Sequence, residues 1–239
     1  MIVGLITARG GSKRLPRKNL LPCAGRPLLA WTCMAAKASQ LDRVVLSTDD
    51  EEIAGIGRDW GVEVPFLRPA ELSGDSATSL AVAQHALQAL DTAATPIEAI
   101  VLLQPTSPLR QATDIDNAVA LFRSQRPTAV VTAFRLPDHL HPAKLMVTRD
   151  DAAYPFIDDL PAQSPHRAMA DQRPSLLVRN GPAVLVSGAQ TLTRGSLYGD
   201  RILVSEMPVD RSIDIDTAED FAQAEAALRQ MYPDEMPAR

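Results

Sequence analysis

What the chain has little of narrows its class first. No apolar run comes near the roughly 18 to 20 residues that span a bilayer, which excludes a transmembrane helix. With 46% hydrophobic but only 4% aromatic residues, the 239-residue chain reads as soluble and globular. Cysteines number two, Cys23 and Cys33. A chain of this length has a core of its own and needs no staple, so both read as reduced packing residues. A net positive charge is also missing, since 24 Lys plus Arg stand against 29 Asp plus Glu for a balance of −5. That argues against a general nucleic-acid surface, which needs a positive field to release counterions; any basic patch must be local. The opening MIVGLITARGG lacks a basic n-region and meets Arg9 after eight residues. It therefore reads as a buried strand and not as a secretory signal, and a cytoplasmic location is expected. The length fits one domain, taken as residues 1–239, with room for a sub-domain.

Apolar runs of strand length alternate with helix-period segments, the sequence sign of crossover units on a largely parallel sheet. Strands are predicted at 2–7, 43–48, 98–104, 128–134, 183–187 and 201–207, and helices at 28–38, 51–60, 79–90, 113–124 and 217–231. Several of these helices open with Ser, Thr or Asp where an N-cap sits. Between Pro137 and Pro174 six prolines break both periods, and no regular element is expected there. This stretch reads as an excursion from the sheet.

Three segments carry chemistry. ARGGSKRLPRKN, Ala8 to Asn19, follows the first strand and places Arg9, Lys13, Arg14, Arg17 and Lys18 within ten residues. Gly10 and Gly11 allow the backbone to turn N–H groups toward a ligand, and the side chains supply forked donors and charge for phosphate oxygens. A polyphosphate is the natural guest; the bland alternative is a solvated basic loop. Neither the Walker spacing nor a G-x-G-x-x-G is present. SIDIDTAEDF, Ser212 to Phe221, alternates Asp214 and Asp216 on an extended stretch, so both carboxylates point to one face and suit Mg²⁺ together with substrate phosphates. The alternative is that Asp216 caps the following helix. LLQPTSPLR ends a buried strand at Gln104, with Pro105 and Pro108 fixing the exit. Alone it is equally a rigid turn.

Other candidates carry less. His139 and His141 stand beside prolines without further ligands at metal spacing. His85 falls on a helix and reads as structural, and the Gly55, Gly57, Gly61 set marks a helix end. Nothing indicates a covalent nucleophile.

Taken in order, ARGGSKRLPRKN, VVLSTDDEEIA, FLRPAEL, LLQPTSPLR, VRNG and SIDIDTAEDF resemble the acylneuraminate cytidylyltransferase family, the CMP-sialic acid synthetases. The resemblance implies a Rossmann-like α/β nucleotidyltransferase fold. It also implies a homodimer formed through an inserted segment, here at about 137–174, and transfer of CMP from CTP to a nine-carbon 2-keto sugar acid with release of pyrophosphate. Arg9, Ser12, Lys18 and Asn19 are then expected to hold the CTP phosphates, assisted by Arg14 and Arg17, with the backbone near Ala8 reading the cytosine. Asp75 and Ser79 belong to the nucleoside pocket, and Gln104, Asn180 and Gly181 to the sugar side. Asp214 and Asp216 hold Mg²⁺, and Lys18, Arg9 and Asp214 form the expected catalytic set. After Asn180 and Gly181 come Pro182, Ala183 and Val184, where the family has an aromatic residue. The sugar's carboxylate anchor has only Arg167 and Arg173 as candidates. The acceptor therefore stays open among sialic, legionaminic, pseudaminic and KDO-type acids or a non-sugar acid, and a non-catalytic nucleotide-binding relative is the reading from a different class.

Overall fold

Strand and helix segments alternate along the chain in the computed structural model, which describes residues 1–12, 14–155, 175–181 and 183–233. The first part contains β1 (Ile2–Thr7), β2 (Pro22–Cys23), β3 (Arg26–Pro27), α1 (Leu28–Lys37), β4 (Arg43–Ser47), α2 (Glu51–Asp59), α3 (Ser79–Leu90), β5 (Ala99–Leu103), α4 (Ala112–Gln125) and β6 (Ala129–Arg135). It continues with β7 (Met146–Arg149), β8 (Ala152–Pro155), β9 (Leu177–Arg179), β10 (Leu185–Gly188), α5 (Ala189–Thr193), β11 (Ile202–Glu206) and α6 (Ala218–Met231). The main sheet has the order β11-β6-β10-β5-β1-β4, with β9 added beside β6.

β1 pairs in parallel with β4 and β5, and β11 pairs in parallel with β6. Runs such as IVGLIT are apolar throughout because the sheet is covered on both faces. Alternate side chains serve opposite layers. Ile6, Leu46, Val101 and Leu103 face Leu29, Cys33, Ile115 and Phe122 of α1 and α4. Val3, Leu5, Val45, Ile100 and Leu102 face Ala83, Ala86, Leu87 and Leu90 of α3. Asp50 caps α2, Thr78 caps α3, and Thr217 with Asp220 forms a capping box on α6. Asp216 is thus not the helix cap. Cys23 and Cys33 are buried and unpaired, and burial pushes both thiols up to about 12, which leaves them unreactive at neutral pH.

Two differences from the sequence reading have physical causes. Inside 137–174 there is a hairpin, β7 with β8, whose two-residue turn Asp150–Asp151 has φ of 49° and 61°. Two successive left-handed residues make the tight hairpin turn, and Asp tolerates that conformation without the glycine that usually signals it. Residues 156–174 of the same stretch lie outside the described residues. The second difference is β10, which runs antiparallel to both β5 and β6 between them. The chain comes back from its excursion at the carboxyl edge of the sheet and can only enter heading the other way.

The loop after β5 is fastened by a buried arginine. Arg110 is 2% exposed. Its guanidinium donates to Gln104 O (3.2 Å), Ala183 O (2.6 Å) and Thr32 Oγ1 (2.6 Å). Burial brings its pKa down to about 10, against the opposing pull of Asp114, so it stays charged at neutral pH. Replacing it with Met strands three buried acceptors. Arg110→Met is expected to lower the unfolding free energy by about 3 kcal/mol, seen as a lower urea midpoint at unchanged slope. An unmoved midpoint would show that the guanidinium does not hold this corner together.

Candidate functional site

Parallel strands leave a crevice beyond their carboxyl ends, and a cavity of about 330 Å³ lies there. Thr7, Arg9, Ser12, Lys18 and Asn19 line it from the end of β1 and the loop beyond. Arg68, Asp75 and Ser79 line it from the segment leading into α3, and Gln104 and Thr106 from the exit of β5. Arg9, Ser12, Lys18, Asn19, Asp75, Ser79 and Gln104, expected from the sequence, thus meet around one space.

Lys18 opens a short 3-10 turn, Lys18–Leu20. Its Nζ donates to Ile215 O at 2.5 Å, which brings the amine within the electrostatic reach of Asp214 and Asp216. Burial lowers the lysine pKa, while the two carboxylates work against that. Ile215 is fully buried against Leu28, Leu109 and Leu228, and its amide donates to Thr106 O at 2.8 Å. One anchored isoleucine therefore joins the loops after β1 and β5. The segment around it, residues 212–216, belongs to no helix or strand.

Burial also raises the pKa of Asp214. The neighbouring Thr106 hydroxyl pulls it down, Asp216 pushes it up and Lys18 pulls it down. Among the described residues, Asp214 Oδ1, Thr106 Oγ1 and Ser107 Oγ are buried together without a well-aligned hydrogen bond, although the Thr106 hydroxyl lies close enough to Asp214 to act on its charge. A carboxylate oxygen so placed is unfinished chemistry, since buried polar atoms are normally satisfied. Asp216 is exposed and paired with Arg14 at 2.8 Å. No group of three or more His, Cys, Asp or Glu that could hold a metal occurs among the described residues. A two-carboxylate site fits Mg²⁺ that takes its other ligands from phosphate and water.

Several expected residues do other work. Ala8 donates its N–H to Ser47 O (3.1 Å) and its carbonyl accepts from Arg68 (3.0 Å), so its N–H is not free to read a base. Gly10 and Gly11 have no left-handed φ. Gly10 is needed for close approach instead, because a Cβ there would lie 2.6 Å from Asp50 Oδ2, and its N–H goes to Asp49 Oδ1 at 3.1 Å. Arg17 reaches Asp50 at 2.6 Å and also Glu52, and does not line the cavity. Asn180 is 3% exposed. Its amide is spent on Thr132 Oγ1 (2.9 Å) and Ser212 Oγ (2.9 Å), tying β6 to the segment before Asp214. Gly181, at φ 96°, sits where a Cβ would be 3.2 Å from Ser107 Oγ and 3.5 Å from Asp214 Cγ, so it forms a wall beside that carboxylate. Lys13, Arg167, Arg173 and Pro182 lie outside the described residues. His85 packs edge-on against Phe66 at 4.8 Å, a structural role.

Arg68 is the residue that sequence reasoning missed. It is 7% exposed and donates to Ala8 O and Ser47 O, both at 3.0 Å, clasping the ends of β1 and β4 while lining the cavity. Its signal was the FLRPAEL block, where an arginine stands immediately before a proline. Thr106, inside LLQPTSPLR, was likewise given no role.

A profile of the cytidylyltransferase family matches residues 3–231. The chain is 33% identical over 226 residues to N-acylneuraminate cytidylyltransferase of Escherichia coli, covering 93% of this chain and 51% of that protein. It thus spans about half the length of that relative. Identity to CMP-N,N'-diacetyllegionaminic acid synthase of Legionella pneumophila is 30% over 234 residues, covering 95% and 96%. With pseudaminic acid cytidylyltransferase of Campylobacter jejuni it is 42% over 106 residues, 44% of this chain and 46% of the relative. Among solved structures, a CMP:2-keto-3-deoxy-manno-octonic acid synthetase in complex with CTP shares the fold, with TM-score 0.70 at 17% identity and coverage of 96% and 99%. A 4-diphosphocytidyl-2C-methyl-D-erythritol synthase from Anaerococcus prevotii follows the same course, at TM-score 0.63 and 17% identity. With the profile spanning nearly the whole length and one relative matched end to end, the chain belongs to the cytidylyltransferase family, among the relatives of N-acylneuraminate cytidylyltransferase.

Proposed function

We propose that the protein transfers CMP from CTP to the anomeric hydroxyl of a nonulosonic, sialic-acid-like sugar acid and releases pyrophosphate. The observation that carries this is the Lys18 amine, which lines the crevice beyond β1 and β5, bonds to Ile215 O and feels the charges of Asp214 and Asp216, in a chain of this family.

CTP lies with its phosphates against Arg9, Ser12, Lys18 and Asn19 and its nucleoside toward Asp75 and Ser79. The acceptor approaches from Gln104. The sugar hydroxyl attacks the α-phosphorus in line with departing pyrophosphate, so most of the barrier falls through positioning and charge neutralisation. Lys18 and Arg9 face the charge that builds on the leaving group. Asp214, a buried carboxyl, takes the proton from the attacking hydroxyl only where it is not itself engaged by the metal. Asp214 and Asp216 would hold Mg²⁺, which would neutralise phosphate charge. No helix among the described residues is long and apolar enough to cross a membrane, and a cytoplasmic site follows from the use of CTP.

The active unit is a homodimer. β11 is an edge strand whose Ile202 (46%) and Val204 (38%) stand exposed, near Val209 (53%) in the loop that follows. An apolar edge of this kind is normally covered, and a second copy of the chain is the partner we assign to it, together with the inserted segment at about 137–174, whose Leu140 (49%) and Met146 (57%) are also exposed.

Three outcomes test these statements. Purified protein given CTP, Mg²⁺ and a panel of N-acetylneuraminic, legionaminic, pseudaminic and KDO acids is expected to release pyrophosphate with one of the nine-carbon acids; saturable CTP binding without release from any of them would point to a non-catalytic relative. Asp214→Asn is expected to cut turnover by at least about 100-fold. In metal-free buffer it should also raise the melting temperature at neutral pH, because it removes a buried charge. The sign follows from the raised folded-state pKa: ionisation costs the native state stability as pH climbs from the ordinary aspartate range through that higher value. The gain of the Asn variant should vanish below the ordinary range. A melting temperature unchanged at neutral pH would remove the claim that this carboxylate is strained by burial. For the dimer, Val204→Glu is expected to halve the mass measured by light scattering, and an unchanged mass would exclude this edge as the interface.

A further inference from the structure

The run Thr48-Asp49-Asp50-Glu51-Glu52 received no task from the proposed chemistry, yet it touches the basic loop at two places. At the loop's start, Asp49 Oδ1 accepts the Gly10 N–H at 3.1 Å, and Asp49 also faces the Arg68 guanidinium. At its far end, Asp50 does two things at once. Its Oδ1 accepts the amides of Glu52 (3.0 Å) and Ile53 (3.1 Å) and so caps α2, while its Oδ2 holds Arg17 Nη1 at 2.6 Å. Glu52 takes the other guanidinium nitrogen. Only glycine at position 10 lets the loop come this close to Asp50.

Arg17 has φ 56° and ψ 29°, a left-handed conformation that costs a side-chain-bearing residue about 1–2 kcal/mol. Its carbonyl accepts the Leu20 amide at 2.9 Å and thereby starts the turn that carries Lys18 and Asn19. Released from its carboxylates, Arg17 has every reason to leave that conformation, and the direction of Lys18 changes with it. Lys18 must reach Ile215 O to come near Asp214 and Asp216, and Asn19 must reach Arg9 O at 3.0 Å. The guanidinium is engaged by Asp50 and Glu52, and Arg17 is not among the residues that line the cavity.

We infer that Arg17 is a positioning residue and not a phosphate ligand, and that Asp49 and Asp50 are the fixed points against which the phosphate loop is set. This deepens the proposed cytidylyl transfer and rests on it. The alternative, Arg17 as a phosphate ligand, makes the opposite forecast for one variant. Asn caps a helix about as well as Asp, so Asp50→Asn keeps the cap on α2 and weakens only the hold on Arg17. A ligand arginine freed from a competing carboxylate binds CTP more tightly; a positioning arginine freed from its anchor loses turnover.

The test measures kcat and KM for CTP by pyrophosphate release, and CTP Kd by calorimetry, for the wild type, Arg17→Ala, Asp50→Asn and the double variant. Expected is a loss in kcat of about tenfold for each single variant, a CTP Kd that weakens in both because the displaced Lys18 and Asn19 hold the phosphates, and a double variant no worse than the worse single. Arg17→Gly, which adopts the left-handed conformation without penalty, should recover part of the loss of Arg17→Ala. Tighter CTP binding in Asp50→Asn, an unchanged kcat, or losses that multiply in the double variant would overturn the inference. If the wild type releases no pyrophosphate with any acid, the proposed reaction fails separately. Hydrogen exchange over residues 10–21 then decides: faster exchange in Asp50→Asn supports the anchoring, and wild-type rates refute it.

Discussion

The site hangs on one hydrogen bond across 197 positions of sequence, from the Lys18 amine to the Ile215 carbonyl. A half-buried ammonium is costly unless it is met by charge and by an acceptor, and here it is met by both. The bond is available only because Ile215 is sunk into the core between α1 and α6 with its carbonyl turned outward. The first basic loop and the last acidic segment are therefore parts of one object, assembled when α6 docks.

The sheet supplies the frame. β1, β4 and β5 end side by side, so the loops that follow them open onto the same crevice. Buried guanidiniums then fix those loops. Arg68 joins the ends of β1 and β4, and Arg110 joins the exit of β5 to α1 and to the approach of β10. Both are lodged against backbone carbonyls, which suits a forked donor that keeps its charge when buried.

Much of this could be read from the sequence. Six strand runs and five helices were legible because both faces of the sheet are covered, which writes continuous apolar strands and strongly periodic helices. The basic loop and the Asp pair were legible because charge in a strand-end loop is conspicuous. The hairpin of β7 and β8 was not, since its turn uses Asp150 and Asp151 in place of glycine and its strands are only four residues long. The individual tasks within the loop were hidden for a different reason. Which of Arg9, Arg14, Arg17 and Lys18 faces the cavity depends on Asp75, Asp216, Asp50 and Ile215, partners far away in sequence that no local pattern announces. Arg68 was overlooked on the same ground, because its partners are carbonyls, and carbonyls leave no trace in a sequence.

The placement of β10 bears on how the chain comes to fold. It lies between β5 and β6, yet it is made some fifty residues after β6. Until it emerges, β4, β1 and β5 form one sheet fragment and β6 stands apart, each with an open apolar edge. Closing the sheet is therefore a late, long-range event, the kind of non-local pairing that slows folding and leaves edges exposed meanwhile. During synthesis the unfinished chain is stickiest between residue 135 and residue 185, so the stretch that interrupts the sheet also sets how long the nascent protein depends on protection.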